Sequence, residues 1–129
     1  MTFSYKKIIE RYRRNVPGFW NAYRWVIILF IIALLSDALS TCHFMLYGDI
    51  DSEIHLGIWL AAKIFGPILG PLISFVGKAV AGIFICIYLR RWAIYIFIPI
   101  IILSFWAAWY NLWGWKTDYV PNIFRFIPW

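Results

Sequence analysis

Two residues of opposite charge, Asp37 and Lys78, lie near the middle of separate apolar stretches, each long enough to cross a bilayer. An unpaired charge in hydrocarbon is costly, so such residues usually face each other or a watery cavity. The sequence therefore predicts that Asp37 and Lys78 meet inside a helical bundle. A buried ion pair that fixes helix packing is the favoured interpretation. A proton relay or substrate contact through the pair is an alternative, and a mispairing of Asp37 with Lys63 is another.

Polar and small residues accompany the two charges. On the first apolar stretch the polar side chains fall within an arc of about 160°, which predicts a polar stripe on the helix: Ser36, Asp37, Ser40, Thr41 and His43. Around Lys78 the small residues are of the kind that let helices approach closely: Gly70, Ser74, Gly77, Ala81 and Gly82. We expect the two faces to meet.

A second group of residues could bind a metal: His43, Asp49, Asp51, Glu53 and His55. Imidazole and carboxylate groups are ligands for zinc, copper and iron. Glu53 and His55 are two positions apart, a spacing that does not put two ligands on one helical face. The sequence therefore predicts a solvated acidic turn and no cofactor, with a metal, haem or pigment near His43 and His55 as the alternative.

Composition indicates a membrane protein. Of 129 residues, 64% are hydrophobic and 22% aromatic, which is more apolar surface than a soluble domain of this size could hide. The chain has no glycine-rich phosphate loop, no Cys-x-x-Cys and no Gly-x-Ser-x-Gly motif, so it is more typical of a non-enzyme. Cys42 and Cys86 lie in different apolar stretches and are expected to serve helix packing.

The apolar pattern predicts an all-α membrane protein with three transmembrane helices. Residues 1–24 are expected to form a basic amphipathic cytoplasmic segment, broken at Pro17-Gly18, whose first part lies as a helix on the membrane surface. Residues 114–129 are expected to form an aromatic tail. The membrane domain spans 25–113, with spans at about 25–47, 67–89 and 93–113. Residues 54–66 are expected to form a short interfacial helix; the alternative is that they belong to one long tilted second span.

Charge predicts the orientation of the spans. The first 25 residues carry six basic residues and one acidic residue, the first connection is acidic, and Arg90 and Arg91 follow the second span. The positive-inside rule then predicts a cytoplasmic N-terminus and an external C-terminus. The residues expected to contact anionic phospholipids or partner subunits are Arg11, Arg13, Arg14, Arg90, Arg91, Trp106, Trp109 and Trp113. No nucleic acid is predicted as a partner.

The motifs Asp37-x-x-x-Thr41 and Glu53-x-His55, followed by Lys78, resemble a family of small bacterial integral membrane proteins of unknown function. The family pattern is D-x-x-x-T, then E-x-N-P or E-x-H-P, then a lysine, and the resemblance covers about residues 24–113. Leu56 stands where the pattern has proline. The resemblance implies that these residues form one polar cluster, in a protein of the bacterial cytoplasmic membrane.

We therefore expect a small accessory or scaffold subunit of a larger membrane complex, with other integral membrane subunits as partners. Its size and its small-residue and aromatic faces favour this function. The alternative is a minimal membrane enzyme or a proton- or ion-coupled carrier. That protein would use the polar cluster of Asp37, His43, Glu53, His55 and Lys78.

Overall fold

The computed structural model describes residues 4–47 and 56–113, a part of the chain made of helices and short turns without strands. The helices are α1 (Tyr5–Asn15), α2 (Phe19–Tyr47), α3 (Leu56–Phe65), α4 (Leu69–Tyr88) and α5 (Ala93–Leu112), with a 3-10 turn at Arg90–Trp92. Three segments are long and apolar enough to span a membrane: Phe19–Leu46, Leu69–Tyr88 and Arg90–Leu112. The predicted all-α class with three such helices is confirmed.

The first spanning helix begins earlier than the sequence predicted. Pro17 and Gly18 separate α1 from α2, and Gly18 has a φ of 71°, a left-handed conformation that favours glycine. α2 then starts at Phe19, whose side chain is buried. The candidate span of 28 residues is about 42 Å long, more than the roughly 30 Å of a hydrocarbon core. Trp20 and Arg24 therefore belong to this helix and not to a separate basic segment.

α3 and α4 are separate helices. Gly66, with a φ of 93°, ends α3, so the alternative of one long tilted second span is wrong. A Cβ on Gly70 would lie 2.5 Å from backbone atoms of Ala62, so only glycine allows α4 to pack so closely on α3. α3 has 10 residues, about 15 Å of helix, and is too short to cross a bilayer.

α2 lies at the centre of the bundle. Of the 18 residues in its most apolar stretch, 44% are buried, against 22% in the corresponding stretch of α4 and 28% in that of the segment containing α5. The ring centroids of Phe30 on α2 and Phe97 on α5 are 5.0 Å apart. On the α4 side, a Cβ on Gly82 would lie 2.6 Å from Cζ of Phe30. The main core joins these three helices: Phe19, Ile27, Phe30, Ala33, Leu34, Ala79, Cys86, Ala93, Phe97 and Ile101.

Candidate functional site

The structure brings Asp37 of α2 and Lys78 of α4 together. The distance from Lys78 Nζ to Asp37 Oδ2 is 3.9 Å, and the side chains are 34% and 14% exposed, respectively. The two groups are close enough to form an ion pair, but their separation exceeds the roughly 2.8 Å of a direct charge-assisted hydrogen bond. The pair therefore leaves donors of the Lys78 ammonium available to other acceptors.

A layer of hydroxyl and amide groups adjoins the ion pair. Ser40 and Thr41 are 5% and 1% exposed, and each donates its hydroxyl hydrogen to the backbone carbonyl of Asp37, at 2.8 Å in both cases. Asn111 of α5 donates its side-chain amide to Ser40 Oγ at 3.1 Å and to Thr41 Oγ1 at 2.9 Å. Each hydroxyl thus both donates and accepts. We call the set Asp37, Lys78, Ser40, Thr41 and Asn111 the polar layer.

The polar layer connects all three spanning helices through side chains. The ion pair joins α2 to α4, and Asn111 joins α2 to α5. Asn111 was missed in the sequence, although a lone amide near the end of an apolar, aromatic helix is the kind of residue that forms interhelical hydrogen bonds. This arrangement can bind polar groups, and it can fix the register of the three helices relative to one another.

The candidate metal-binding group falls mostly outside the described residues, namely Asp49, Asp51, Glu53 and His55. His43 is described and its side chain is exposed on α2. Within residues 4–47 and 56–113, no three side chains of histidine, cysteine, aspartate or glutamate lie close enough together to bind one metal ion.

Lys63 is the alternative partner of Asp37. Its ammonium lies 5.6 Å from the ring centroid of Trp59 on the same helix.

The two cysteines pack in different places. Cys42 is buried on α2 and its sulfur lies 3.5 Å from the carbonyl oxygen of Ile68, just before α4. Cys86 is fully buried in the main core, with its sulfur 4.0 Å from the carbonyl oxygen of Ala93. Both thiols are free. Each contributes to helix packing, as their separation in the sequence predicted.

A second polar region lies where α1 crosses the end of α4. Tyr12 donates its hydroxyl to the carbonyl of Phe84 at 3.0 Å, and Arg11 Nε donates to the carbonyl of Tyr88 at 3.0 Å. Asn15 donates its amide to the carbonyls of Ile87 and Tyr88 at 2.9 and 3.1 Å. The last four carbonyls of a helix have no partner within it, so the donors to Ile87 and Tyr88 satisfy groups that α4 cannot satisfy itself.

Arg90 completes this region from the turn between α4 and α5. Its guanidinium donates to the carbonyls of Asn15 at 3.0 Å and Pro17 at 2.8 Å, and its own carbonyl accepts from the Tyr23 hydroxyl at 2.9 Å. We call these contacts the α1 junction. Contact of Arg11 and Arg90 with lipids or partner subunits stays a prediction, and the structure shows that both residues also make contacts within the chain. Arg13, Arg14 and Arg91 remain exposed.

The predicted aromatic group is partly described. Trp106 stacks on Tyr110 with ring centroids 5.6 Å apart, while Trp109 and Trp113 are 46% and 58% exposed. Trp115 and the rest of the predicted aromatic tail at 114–129 lie outside the described residues. At least part of the aromatic surface on α5 therefore faces away from the bundle.

Together, the described residues form an all-helical fold in which three helices are long and apolar enough to span a membrane, and in which two polar regions link the helices. The chain matches no family model, and it has no significant match among curated proteins or solved structures.

Proposed function

We propose that this protein is an accessory or scaffold subunit of a larger complex in a bacterial cytoplasmic membrane. In this proposal the middle of α4 binds a transmembrane helix of another subunit. The supporting observation is that one face of α4 is covered by α3 at one end and by α1 at the other, but is exposed in the middle, next to Lys78.

That face can be followed along α4. At 100° per residue, four positions lie within about 20° of one line: Gly70, Gly77, Ala81 and Tyr88. Gly70 is buried against α3. At the other end, Arg11 lies 4.3 Å from the Tyr88 ring centroid and Tyr12 packs beside it.

The middle of the face is open. A Cβ on Gly77 would meet nothing within 4 Å, and Ala81 is exposed. We call Gly77 and Ala81, bounded by α3 and α1, the α4 notch. Small residues at such a place allow the backbones of two helices to approach closely.

Lys78 distinguishes a protein partner from lipid. It borders the notch, its side chain is 34% exposed, and its ammonium is too far from Asp37 for a direct hydrogen bond. Lipid tails offer no acceptor to an ammonium near the middle of a span, whereas a helix with a carboxylate, hydroxyl or free carbonyl does. Charge complementarity therefore favours a polar partner helix in the notch.

Gly77→Leu tests the proposal. The new side chain would enter open space, so the isolated chain should lose no stability and should gain up to about 1 kcal/mol, because glycine is unfavourable in a helix interior. Docking should be blocked. Val76→Leu is the matched control, because Val76 is also exposed but points about 100° away from Gly77.

The measurement combines native mass spectrometry of gently extracted protein with photo-crosslinking from Ala81. We expect wild type and Val76→Leu to carry a different integral membrane polypeptide, and Gly77→Leu to lose it. A crosslink only to a second copy, or only to lipid, would contradict the proposal. So would equal retention of the partner by Gly77→Leu.

The proposal includes a definite placement in the membrane. α1 lies as an amphipathic helix on the cytoplasmic surface, α3 lies in the outer interface, and the C-terminus is outside. In a background lacking Cys42 and Cys86, single cysteines at Asp51 and Thr117 are expected to react with an impermeant reagent from outside, and one at Ser4 is not. Labelling of Thr117 from the cytoplasm alone would contradict this orientation.

A further inference from the structure

α1 has three distinct faces, and the α1 junction uses only one of them. The residues that meet the bundle recur at helical spacing and are half-buried: Ile8, Arg11, Tyr12 and Asn15. Their donors are directed at carbonyls of α4. The remaining two faces of α1 point away from the bundle.

The second face is apolar and exposed. Tyr5, Ile9 and Val16 fall within about 40° of one another around the helix axis. They are 80%, 45% and 53% exposed. A face of this kind on a helix that already has a packing partner needs a second apolar surface to cover it.

The third face is basic. It consists of exposed side chains with Glu10 as the only acid among them: Lys6, Lys7, Arg13 and Arg14. These positions follow the apolar face around the axis and lie away from the bundle. A helix with adjacent apolar and basic faces is typical of one that lies in a membrane interface.

Exposed aromatic residues mark a membrane surface at the level of α1. Four of them lie near the start of α2 and near the turn after α4. Their exposed fractions are 55% for Trp20, 71% for Trp25, 61% for Trp92 and 71% for Tyr95. The guanidinium of Arg24 lies 5.3 Å from the Trp25 ring centroid. Tryptophan and tyrosine favour the boundary between headgroups and hydrocarbon, so this end of the bundle fits that boundary.

We propose that α1 is a docking surface for anionic phospholipid. Tyr5, Ile9 and Val16 enter the acyl boundary, and the four basic side chains bind headgroup phosphates. Zwitterionic lipid would cover the apolar face but would leave the excess positive charge without a counterpart. Each lysine or arginine beside the membrane raises the affinity of a protein segment for an anionic leaflet about fivefold. This inference does not depend on a partner in the α4 notch.

Hydrogen exchange of the α1 amides tests the inference on the full-length protein in nanodiscs. Discs of phosphatidylcholine are compared with discs that also contain phosphatidylglycerol. We expect α1 to exchange at least about tenfold more slowly in the anionic discs at low salt, since several basic groups contribute. High salt should remove the difference, because it screens exposed charges.

Two variants separate lipid binding from bundle packing. K6Q/K7Q/R13Q/R14Q should abolish the dependence on phosphatidylglycerol. N15A weakens the α1 junction without a change of charge and should keep that dependence, even if its α1 exchanges faster overall.

Three results would overturn the inference. In the first, α1 exchanges equally in the two kinds of disc. In the second, inorganic phosphate added to neutral discs gives the same protection, which would indicate a site for a soluble anion. In the third, the quadruple variant keeps the lipid dependence of the wild type. If that variant does not insert, the salt dependence of the wild type decides.

Discussion

The polar layer and the α1 junction hold helices together in different ways. In the polar layer, side chains of α4 and α5 reach polar side chains of α2: Lys78 faces Asp37, and Asn111 bonds Ser40 and Thr41. In the α1 junction, side chains of α1 donate to backbone carbonyls at the end of α4. Within a span the backbone groups bond to one another, so only side chains are left to link helices. At a helix end the carbonyls are still available.

This difference explains which contacts a sequence reveals. A charge in an apolar stretch is conspicuous, since hydrocarbon penalises it. A carbonyl at the end of a helix has no sequence signature, so nothing about Phe84, Ile87 or Tyr88 indicates that they accept hydrogen bonds from α1. The basic residues of the N-terminus therefore suggested contact with lipid or partner subunits, and the packing of Arg11 on the bundle was not predicted.

The largest effect should come from the ion pair. Lys78→Met leaves the Asp37 carboxylate, which is only 14% exposed, without its cation. We expect a loss of about 3 kcal/mol in the free energy of unfolding, at the lower end for a broken buried pair. Asp37→Asn should cost a similar amount, because the 34% exposed Lys78 side chain would then face hydrocarbon near the middle of a span without its anion. Denaturant titration of protein in mixed micelles measures both.

The double variant D37N/K78M decides whether this loss belongs to the pair. It should recover much of the loss of Lys78→Met, because neither charge is then left behind. Lys63→Met is the comparison, since Lys63 is an exposed lysine on α3 whose ammonium lies 5.6 Å from the Trp59 ring centroid. Additive losses in the double variant would show that Asp37 and Lys78 do not stabilise the bundle as partners.

Asn111→Leu should have an intermediate effect. It removes both hydrogen bonds to the hydroxyls of Ser40 and Thr41 but leaves their bonds to the Asp37 carbonyl. Hydrogen bonds between spanning helices contribute about 0.6 kcal/mol on average, so we expect a loss of about 1 to 2 kcal/mol. The loss should shrink in a Ser40→Ala, Thr41→Val background. An unchanged loss there would mean that Asn111 acts through other contacts.

The sequence predicted the three long apolar helices because their apolar stretches are long. It predicted that Asp37 and Lys78 meet because both lie near midspan, one on a polar face and the other on a small-residue face. It did not separate the roles of the glycines near Lys78. Gly70 packs on α3, Gly82 lies against Phe30, and Gly77 lies in open space. Their chemistry is identical, and only the arrangement of neighbouring helices differs. Asn111 was missed because its hydroxyl partners lie far away in sequence.

The α1 junction should show the smallest effect and the sharpest contrast with the polar layer. Asn15→Ala removes two side-chain hydrogen bonds to the α4 carbonyls. At a membrane surface water can replace such donors, so we expect a loss of only about 0.5 to 1 kcal/mol, within the usual range for a hydrogen bond. Asn21→Ala is the matched control, because the Asn21 side chain is exposed at the start of α2.

Hydrogen exchange distinguishes local from global effects. Asn15→Ala should speed exchange in α1 and leave the α2 amides near Asp37 unchanged, whereas Lys78→Met should speed exchange in α2. If Asn15→Ala loosened α2 as much as α1, the two polar regions would form one cooperative unit, and the contrast drawn between them would fail.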